Sequence, residues 1–233
     1  MLSIFITGTN RGIGLGFVRE YLARGERVFA ACRVPAAASD LQQLQRSYGD
    51  QLTLIPLDVT DPAAIQVAAQ SIQQETSTLD ILINNAGVFF PSSSIADLRL
   101  ESLTRSFAVN SIAPLLIGQQ LLPLLQVSFA PKIINITAPT RPLGQLQRME
   151  HHSYVASRYA LNALTKMMAL ELRALGVLVI ALWPGYLRTD MNNMAEEAAP
   201  PEYTLPQVVD LINDLTWEHA GCCLLPDGQV FEW

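Results

Sequence analysis

The 233-residue chain has only three cysteines, Cys32, Cys222 and Cys223. They show neither metal-ligand spacing nor the pattern of a disulfide framework, so no metal is expected and a reducing cytoplasm is the default location. Positive charge is also scarce: 15 Lys and Arg stand against 21 Asp and Glu, a net charge of −6. With no basic run, nucleic acid is not an expected partner. No apolar stretch of about 18 residues, the length that a membrane span needs, is free of polar interruption. Leu115–Leu125 comes nearest and holds Gln119, Gln120 and Pro123, so no membrane partner is expected either. A secretion signal is not expected, because Ser3–Gly8 already reads as strand and loop without a basic flank.

What is present is apolar bulk. Half of the residues are hydrophobic, enough for a sizeable core. Leu2–Thr7 is a short run of β-formers that leads into Thr7-Gly8-Thr9-Asn10-Arg11-Gly12-Ile13-Gly14, followed by a helical pattern over Leu15–Leu22. Strand, glycine-rich turn and helix are the context of a dinucleotide fingerprint, here spaced G-x-x-x-G-x-G. Gly8 permits a tight turn. Gly12 and Gly14 let the backbone approach a pyrophosphate at a helix N-terminus, whose free N–H groups and dipole favour an anion. The second strand, Arg27–Cys32, ends where a cofactor's ribose is read. An acidic side chain there accepts from a 2′-hydroxyl, whereas arginine suits a 2′-phosphate. Cys32 and Arg33 stand at this point, and Arg11 adds charge from within the loop. The pair favours NADP, with NAD as the alternative.

The third strand, Leu52–Leu57, ends in Asp58-Val59-Thr60-Asp61. Asp58 is placed to reach an adenine amino group, while Thr60 or Asp61 caps the helix Pro62–Glu75, with Pro62 in its first turn. The fourth strand, Leu79–Ile83, runs into Asn84-Asn85-Ala86-Gly87, whose small and amide residues suit close backbone approach to a ligand. Asp97–Leu125 reads as one or two helices. Pro114 withholds the N–H that would bond the carbonyl of Asn110, four residues back, and a kink with one loose carbonyl is a place to hold a water. The fifth strand is Lys132–Thr137, then a loop to His152. The helix Ser153–Leu175 carries Tyr154-x-x-x-Arg158, a phenol and a cation on one face. A fixed positive charge beside a phenol favours its ionised form. The sixth strand, Val177–Trp183, precedes Pro184-Gly185-Tyr186-Leu187-Arg188-Thr189. Asn192–Glu202 is expected as a mobile lid or exposed loop, and Leu205–Trp217 as a helix. Cys223–Leu225 and Gln229–Phe231 flank the turn signal Pro226-Asp227-Gly228. Strands and helices alternate without a composition break. The expectation is one doubly wound Rossmann domain over residues 1–233, with a mostly parallel seven-stranded sheet.

The ordered set Thr7–Gly14, Asn84–Gly87, Asn110, Tyr154–Arg158 and Pro184–Thr189 resembles the short-chain dehydrogenase/reductase family. Tyr154–Asn162 and the ending Asp227-Gly228 through Trp233 are most similar to its C-factor and sniffer-type carbonyl reductases. The resemblance implies hydride exchange between a nicotinamide cofactor and a small carbonyl or alcohol. It implies Tyr154 as proton donor, Arg158 at the position of a lysine that binds the ribose, and Asn110 as water holder. It also implies that Gly8, Asn10, Arg11, Gly12, Ile13, Gly14, Arg33, Asp58, Val59, Asn84, Ala86, Gly87, Tyr154, Arg158, Pro184, Gly185, Leu187 and Thr189 bind the cofactor.

Two positions depart from the family pattern. Arginine keeps the lysine's charge but is planar and effectively never deprotonated. The expected substrate-binding serine falls on Ala138, which leaves Thr137 as the neighbouring hydroxyl; Ser153, His151 and His152 lie in the same region. Two readings follow: an NADP-dependent carbonyl reductase with an altered site, or a catalytically impaired dinucleotide-binding protein with a signalling or scaffolding role. The family's habit of pairing its central helices implies a homo-oligomer, dimer or tetramer, through Leu115–Leu125 and Leu161–Leu172.

Overall fold

Six short apolar runs with side chains alternating between two faces dictate a sheet buried on both sides. A computed structural model, which describes residues 1–146 and 150–232, has that sheet at its centre. In chain order its elements are β1 (Ser3–Thr7), α1 (Gly12–Ala23), β2 (Arg27–Cys32), α2 (Ser39–Tyr48), β3 (Leu52–Pro56), α3 (Pro62–Glu75), β4 (Ile81–Asn84), α4 (Leu100–Phe107), α5 (Ala113–Leu125), β5 (Lys132–Ile136), α6 (His152–Leu172), β6 (Leu178–Leu182), α7 (Pro201–Asn213), β7 (Cys223–Leu224) and β8 (Val230–Phe231). The strand order is β3-β2-β1-β4-β5-β6-β7-β8. All pairs are parallel except β7 with β8.

Alternation divides the core into two layers. Ile4, Ile6, Val28, Ala30, Ile134 and Ile180 pack with residues of α1, α2 and α7. Phe5, Phe29, Leu82, Ile133 and Val179 pack with α3, α5 and α6. The order of strands reverses at β1, whose two neighbours are β2 and β4. A crevice therefore opens beyond the carboxyl ends of β1 and β4, the place where doubly wound sheets bind ligands.

The sheet has eight strands where seven are expected. The Pro226-Asp227-Gly228 turn folds Val230–Phe231 back onto β7 as a two-residue antiparallel edge, too short to be distinguished from loop by its pattern. The kink expected at Pro114 takes the form of a π-helical turn, Ala108–Ile112, between α4 and α5. There the Ala113 N–H reaches back to the Ala108 carbonyl, five residues away, so the chain passes Pro114 without breaking the helical run. That run, Leu100–Leu125, is long and apolar enough by composition to cross a membrane, and over half of its most apolar window is buried in this fold. Helix α7 starts at Pro201, a residue type suited to a first turn, ahead of the expected Leu205. The segment before it is less open than expected. Ala199 donates to the Tyr186 carbonyl and Arg188 to the Ala199 carbonyl, and Ala198 is buried. Trp233, part of the resemblance, lies outside the described residues, as do residues 147–149 of the loop before α6.

A buried ladder of polar side chains ties the central strands to α6. Asn84 Nδ2 donates to Asn135 Oδ1 at 2.9 Å, Asn135 Nδ2 to Thr165 Oγ1 at 2.8 Å, and Thr165 Oγ1 to the Leu161 carbonyl at 2.8 Å. Replacing Thr165 by valine keeps the shape but strands the Asn135 amide without an acceptor. Thr165→Val is expected to lower stability by about 1–3 kcal/mol, read as a lower urea midpoint at unchanged slope; a wild-type midpoint would contradict the ladder's role.

Candidate functional site

Helix α1 begins without a side-chain cap, since Arg11 occupies the cap position and makes no capping bond. Its first N–H groups are left for an anion. Gly8 and Gly12 adopt left-handed backbone, with φ of 70° and 56°. A Cβ on Gly14 would lie 2.2 Å from the Gly8 carbonyl oxygen and 2.5 Å from Asn85 Nδ2. A Cβ on Gly8 would lie 2.8 Å from the Ala86 Cα. The loop is therefore a backbone cradle in which side chains do not fit, and its shape suits a pyrophosphate. Ile13 is half-buried in the first turn, and Asn10 and Arg11 are exposed.

Two residues absent from the sequence-based candidates hold this cradle. Thr7 Oγ1 accepts from the backbone N–H of Asn85 (3.1 Å) and of Ala86 (3.0 Å). Asn85 Nδ2 returns two bonds, to the Thr7 carbonyl at 2.8 Å and the Gly8 carbonyl at 3.1 Å. The paired amides of Asn84 and Asn85 split their work: Asn84 faces the buried ladder, and Asn85 faces the glycine loop. Thr9 binds the Ala31 carbonyl through both its N–H and its hydroxyl, at 3.1 and 3.0 Å. Arg11 and Arg33 each lie two residues along the chain from that junction, Arg33 near Asp58. Arg33 is exposed, with no carboxylate of its own strand end beside it.

Asp58 takes an Asx turn, accepting from the Thr60 N–H (2.9 Å) and hydroxyl (2.7 Å). The Thr60 hydroxyl bond, with Arg105 and Arg33 nearby, holds its carboxyl below the usual range against partial burial. Val59 is buried beside it. Asp61, not Thr60, caps α3 through the Ala63 N–H. On the opposite rim, Thr189 Cγ2 would lie 3.3 Å from a Cβ on Gly12, which brings the Pro184–Thr189 turn against the loop. Gly185 in that turn has φ of 95°, and Leu187 is buried.

Helix α6 carries Tyr154 and Arg158. Its start is fixed by Ser92, whose carbonyl accepts from the His151 N–H (2.7 Å) and whose hydroxyl accepts from the His152 N–H (3.1 Å). Ser92 N–H in turn donates to His151 Nδ1 at 3.3 Å. Both histidines, expected as loop residues, thus serve to anchor α6. Phe89 meets the His151 ring and the Tyr154 ring edge-on, at centroid distances of 4.7 and 5.2 Å. The Arg158 guanidinium carbon lies 5.1 Å from the centre of the Tyr154 ring. The phenol is therefore held between an aromatic edge and a cation.

Arg158 is only 4% exposed. Nη1 donates to the Ile136 carbonyl at 3.0 Å, Nε has no partner, and no carboxylate among the described residues pairs with it. A Cβ on Gly87 would lie 2.7 Å from the nearer terminal nitrogen. A buried cation with unsatisfied donors is costly unless a ligand completes it, and hydroxyl-rich ribose suits those donors. Asn110 is placed by the π turn. It donates to the Val88 carbonyl and Ser157 Oγ and accepts from the Val88 N–H, while Ser157 Oγ donates to the Tyr154 carbonyl. The Thr137 hydroxyl donates to Asn162 Oδ1 at 2.6 Å, and Asn162 Nδ2 to Thr140 Oγ1. Its proton is thus spent toward α6. Ala138, beside it, has no hydroxyl to offer.

The chain is similar to known proteins over nearly its whole length. The short chain dehydrogenase family matches residues 3–200. A short-chain dehydrogenase of Pyricularia oryzae is 31% identical, covering 99% of this chain and 98% of its own. The NADPH-bound carbonyl reductase from chicken fatty liver superposes with a TM-score of 0.92 at 35% identity, covering 99% of this chain and 98% of that one. The carbonyl reductase Sniffer of Drosophila melanogaster superposes with a TM-score of 0.93 at 27% identity over the whole of both chains.

The cradle can be tested by filling it. Gly14→Ala forces backbone apart at Gly8 and is expected to weaken dinucleotide binding by about 10- to 100-fold, followed by quenching of protein fluorescence. Gly144→Ala, where nothing lies within 4 Å of an added Cβ, is expected to bind as wild type. Equal affinity for both variants would contradict the assignment.

Proposed function

Because the chain belongs to the short chain dehydrogenase family of oxidoreductases, we propose that it is an NADP-dependent carbonyl reductase acting on a small carbonyl or alcohol substrate. The observation that carries this reading is Tyr154, whose ring is held between Phe89 and Arg158 beside the glycine cradle. The dinucleotide supplies the hydride when bound. Tyr154 donates the proton to the carbonyl oxygen. Arg158 presents its free Nε and terminal nitrogen to the ribose and keeps positive charge on the ring face. Asn110 holds a water through its carbonyl, and Thr137 steadies the end of β5 through Asn162. Gly8, Asn10, Gly12, Ile13 and Gly14 cradle the pyrophosphate, and Arg11 and Arg33 take the 2′-phosphate. Asp58 and Val59 border the adenine, Ala86 and Gly87 the ribose, and Pro184, Gly185, Leu187 and Thr189 the nicotinamide, with Asn84 bracing the strand beneath. The NADPH-bound state of the chicken enzyme supports the cofactor.

One feature favours a second reading, a dinucleotide-binding protein with impaired chemistry. A hydride transfer builds negative charge on oxygen, and each missing donor there costs on the order of 3 kcal/mol. Ala138 supplies none, and the Thr137 proton goes to Asn162.

Steady-state oxidation of NADPH with diketones and quinones separates the two. Turnover is expected, with Tyr154→Phe lower in kcat by about 100-fold or more at unchanged NADPH affinity. Ala138→Ser is expected to raise kcat by about 100-fold. NADPH binding without turnover in wild type, and in Ala138→Ser combined with Arg158→Lys, would establish the second reading instead.

We also infer a homo-oligomer, dimer or tetramer. Leu115, Met167 and Leu170 are exposed on α5 and α6, an apolar surface that pairing would cover. Sedimentation equilibrium is expected to give a dimer or larger species, and Met167→Glu with Leu170→Glu a monomer. A wild-type monomer at tens of micromolar would overturn this.

A further inference from the structure

One contact bridges the two rims of the crevice. Arg11 Nη1 lies 3.0 Å from Asp190 Oδ2, with the two side chains 68% and 52% exposed. Arg11 belongs to the glycine loop. Asp190 opens the short helical turn Asp190–Asn192, which Thr189 caps and which the Asn192 amide ties back to the Leu187 carbonyl at 3.0 Å. Asp190 is thus held at a fixed place rather than on a loose arm. Its neighbour Arg188 is not available as an alternative partner, since its guanidinium donates to the carbonyls of Ala195 and Glu196. Arg11 and Asp190 also line a groove of about 600 Å³ that runs between α1, α2 and α7, past Arg19, Leu44 and Leu205.

We propose that Asp190 is a specificity-determining residue: it competes with the 2′-phosphate of the cofactor for Arg11. This rests on the reading of Arg11 as a 2′-phosphate contact. An ion pair this exposed is weak, because both partners remain well solvated. A dianionic phosphate presents more charge and more acceptor oxygens to a guanidinium than one carboxylate does. Arg11 therefore leaves Asp190 when the phosphate arrives. The affinity for a 2′-phosphorylated cofactor is lowered by the exchange and by the carboxylate that stays behind. A cofactor with a free 2′-hydroxyl leaves the pair intact and carries no such penalty. Asp190 accordingly narrows the margin between NADP and NAD that Arg11 and Arg33 create. It also couples the Asp190–Asn192 turn to the form of cofactor bound.

Calorimetry with 2′,5′-ADP and with 5′-ADP tests this without any turnover. Asp190→Asn is expected to bind 2′,5′-ADP about three- to tenfold more tightly and 5′-ADP as before. In an Arg11→Gln background the gain is expected to vanish. An unchanged 2′,5′-ADP affinity in Asp190→Asn overturns the proposal. So does a gain shared equally by both ligands, or one that persists without Arg11, since either would be a diffuse charge effect. If Arg11→Gln alone leaves 2′,5′-ADP affinity untouched, the reading of Arg11 itself fails. If Arg11→Gln weakens it while Asp190→Asn has no effect, only the competition fails.

Discussion

The molecule depends on how the carboxyl ends of β1 and β4 are joined. Thr7 Oγ1 gathers two backbone N–H groups from the β4 extension, and Asn85 returns its amide to the β1 extension. These bonds sit where the strand order reverses, the one place where adjacent crossovers diverge and leave a crevice. The stitch sets the spacing of the crevice to within what glycine alone tolerates, as the distances from a hypothetical Cβ on Gly8 or Gly14 show. A side chain at Gly8 would press on the Ala86 backbone across the join, and one at Gly14 on the Gly8 carbonyl and the Asn85 amide. The candidate cradle and the join of the two strands share the same few backbone atoms.

The other half of the site is organised around a cation rather than a stitch. Arg158 lies between the end of β5, Gly87 and the ring of Tyr154. Its planar head fits a slot that the absence of a side chain at Gly87 leaves open. An ammonium on a flexible stem would be free to approach the phenol oxygen directly, whereas the guanidinium is aimed at a carbonyl and a ring face. On the proposed reading the guanidinium keeps the electrostatic role, because charge acts over several ångströms. On that reading it takes no part in a proton relay.

Much of this was legible where the signal is local. The glycine spacing, the Asp61 cap with Pro62 behind it, and the Tyr154-x-x-x-Arg158 face depend on residues within a turn or two of one another. Apolar alternation placed six of the strands. The sequence was less informative wherever one side chain chooses among distant partners. Asn84 and Asn85 are chemically equal, and only their opposite faces on a strand end assign one to the core and the other to the loop. Thr137 offered a hydroxyl near the site, but its direction was set by Asn162 on another element. His151 and His152 read as loop residues until Ser92, from a separate segment, engaged them. The π turn is a fourth case: Pro114 signals a disturbed helix, but the widened turn also carries Asn110 and Ser111, which bond to Ser157 on α6.

The unequal state of the two halves follows from how each is constrained. The cradle is made of backbone, so substitution there is limited by sterics that also hold the sheet together. The chemistry is made of side-chain functional groups on a loop and one helix face, where exchange is cheap for the fold. Ala138 is only half-buried, and no backbone bond depends on the identity of its side chain. Arg158 fills its slot whether or not it serves a reaction. A family fold can therefore keep its cofactor crevice while its proton chemistry drifts. On the proposed reading, catalysis in this chain rests on the one reactive group that is fixed from both sides, the phenol of Tyr154. Its ring is held between Phe89 and Arg158, so on that reading its orientation is already in place.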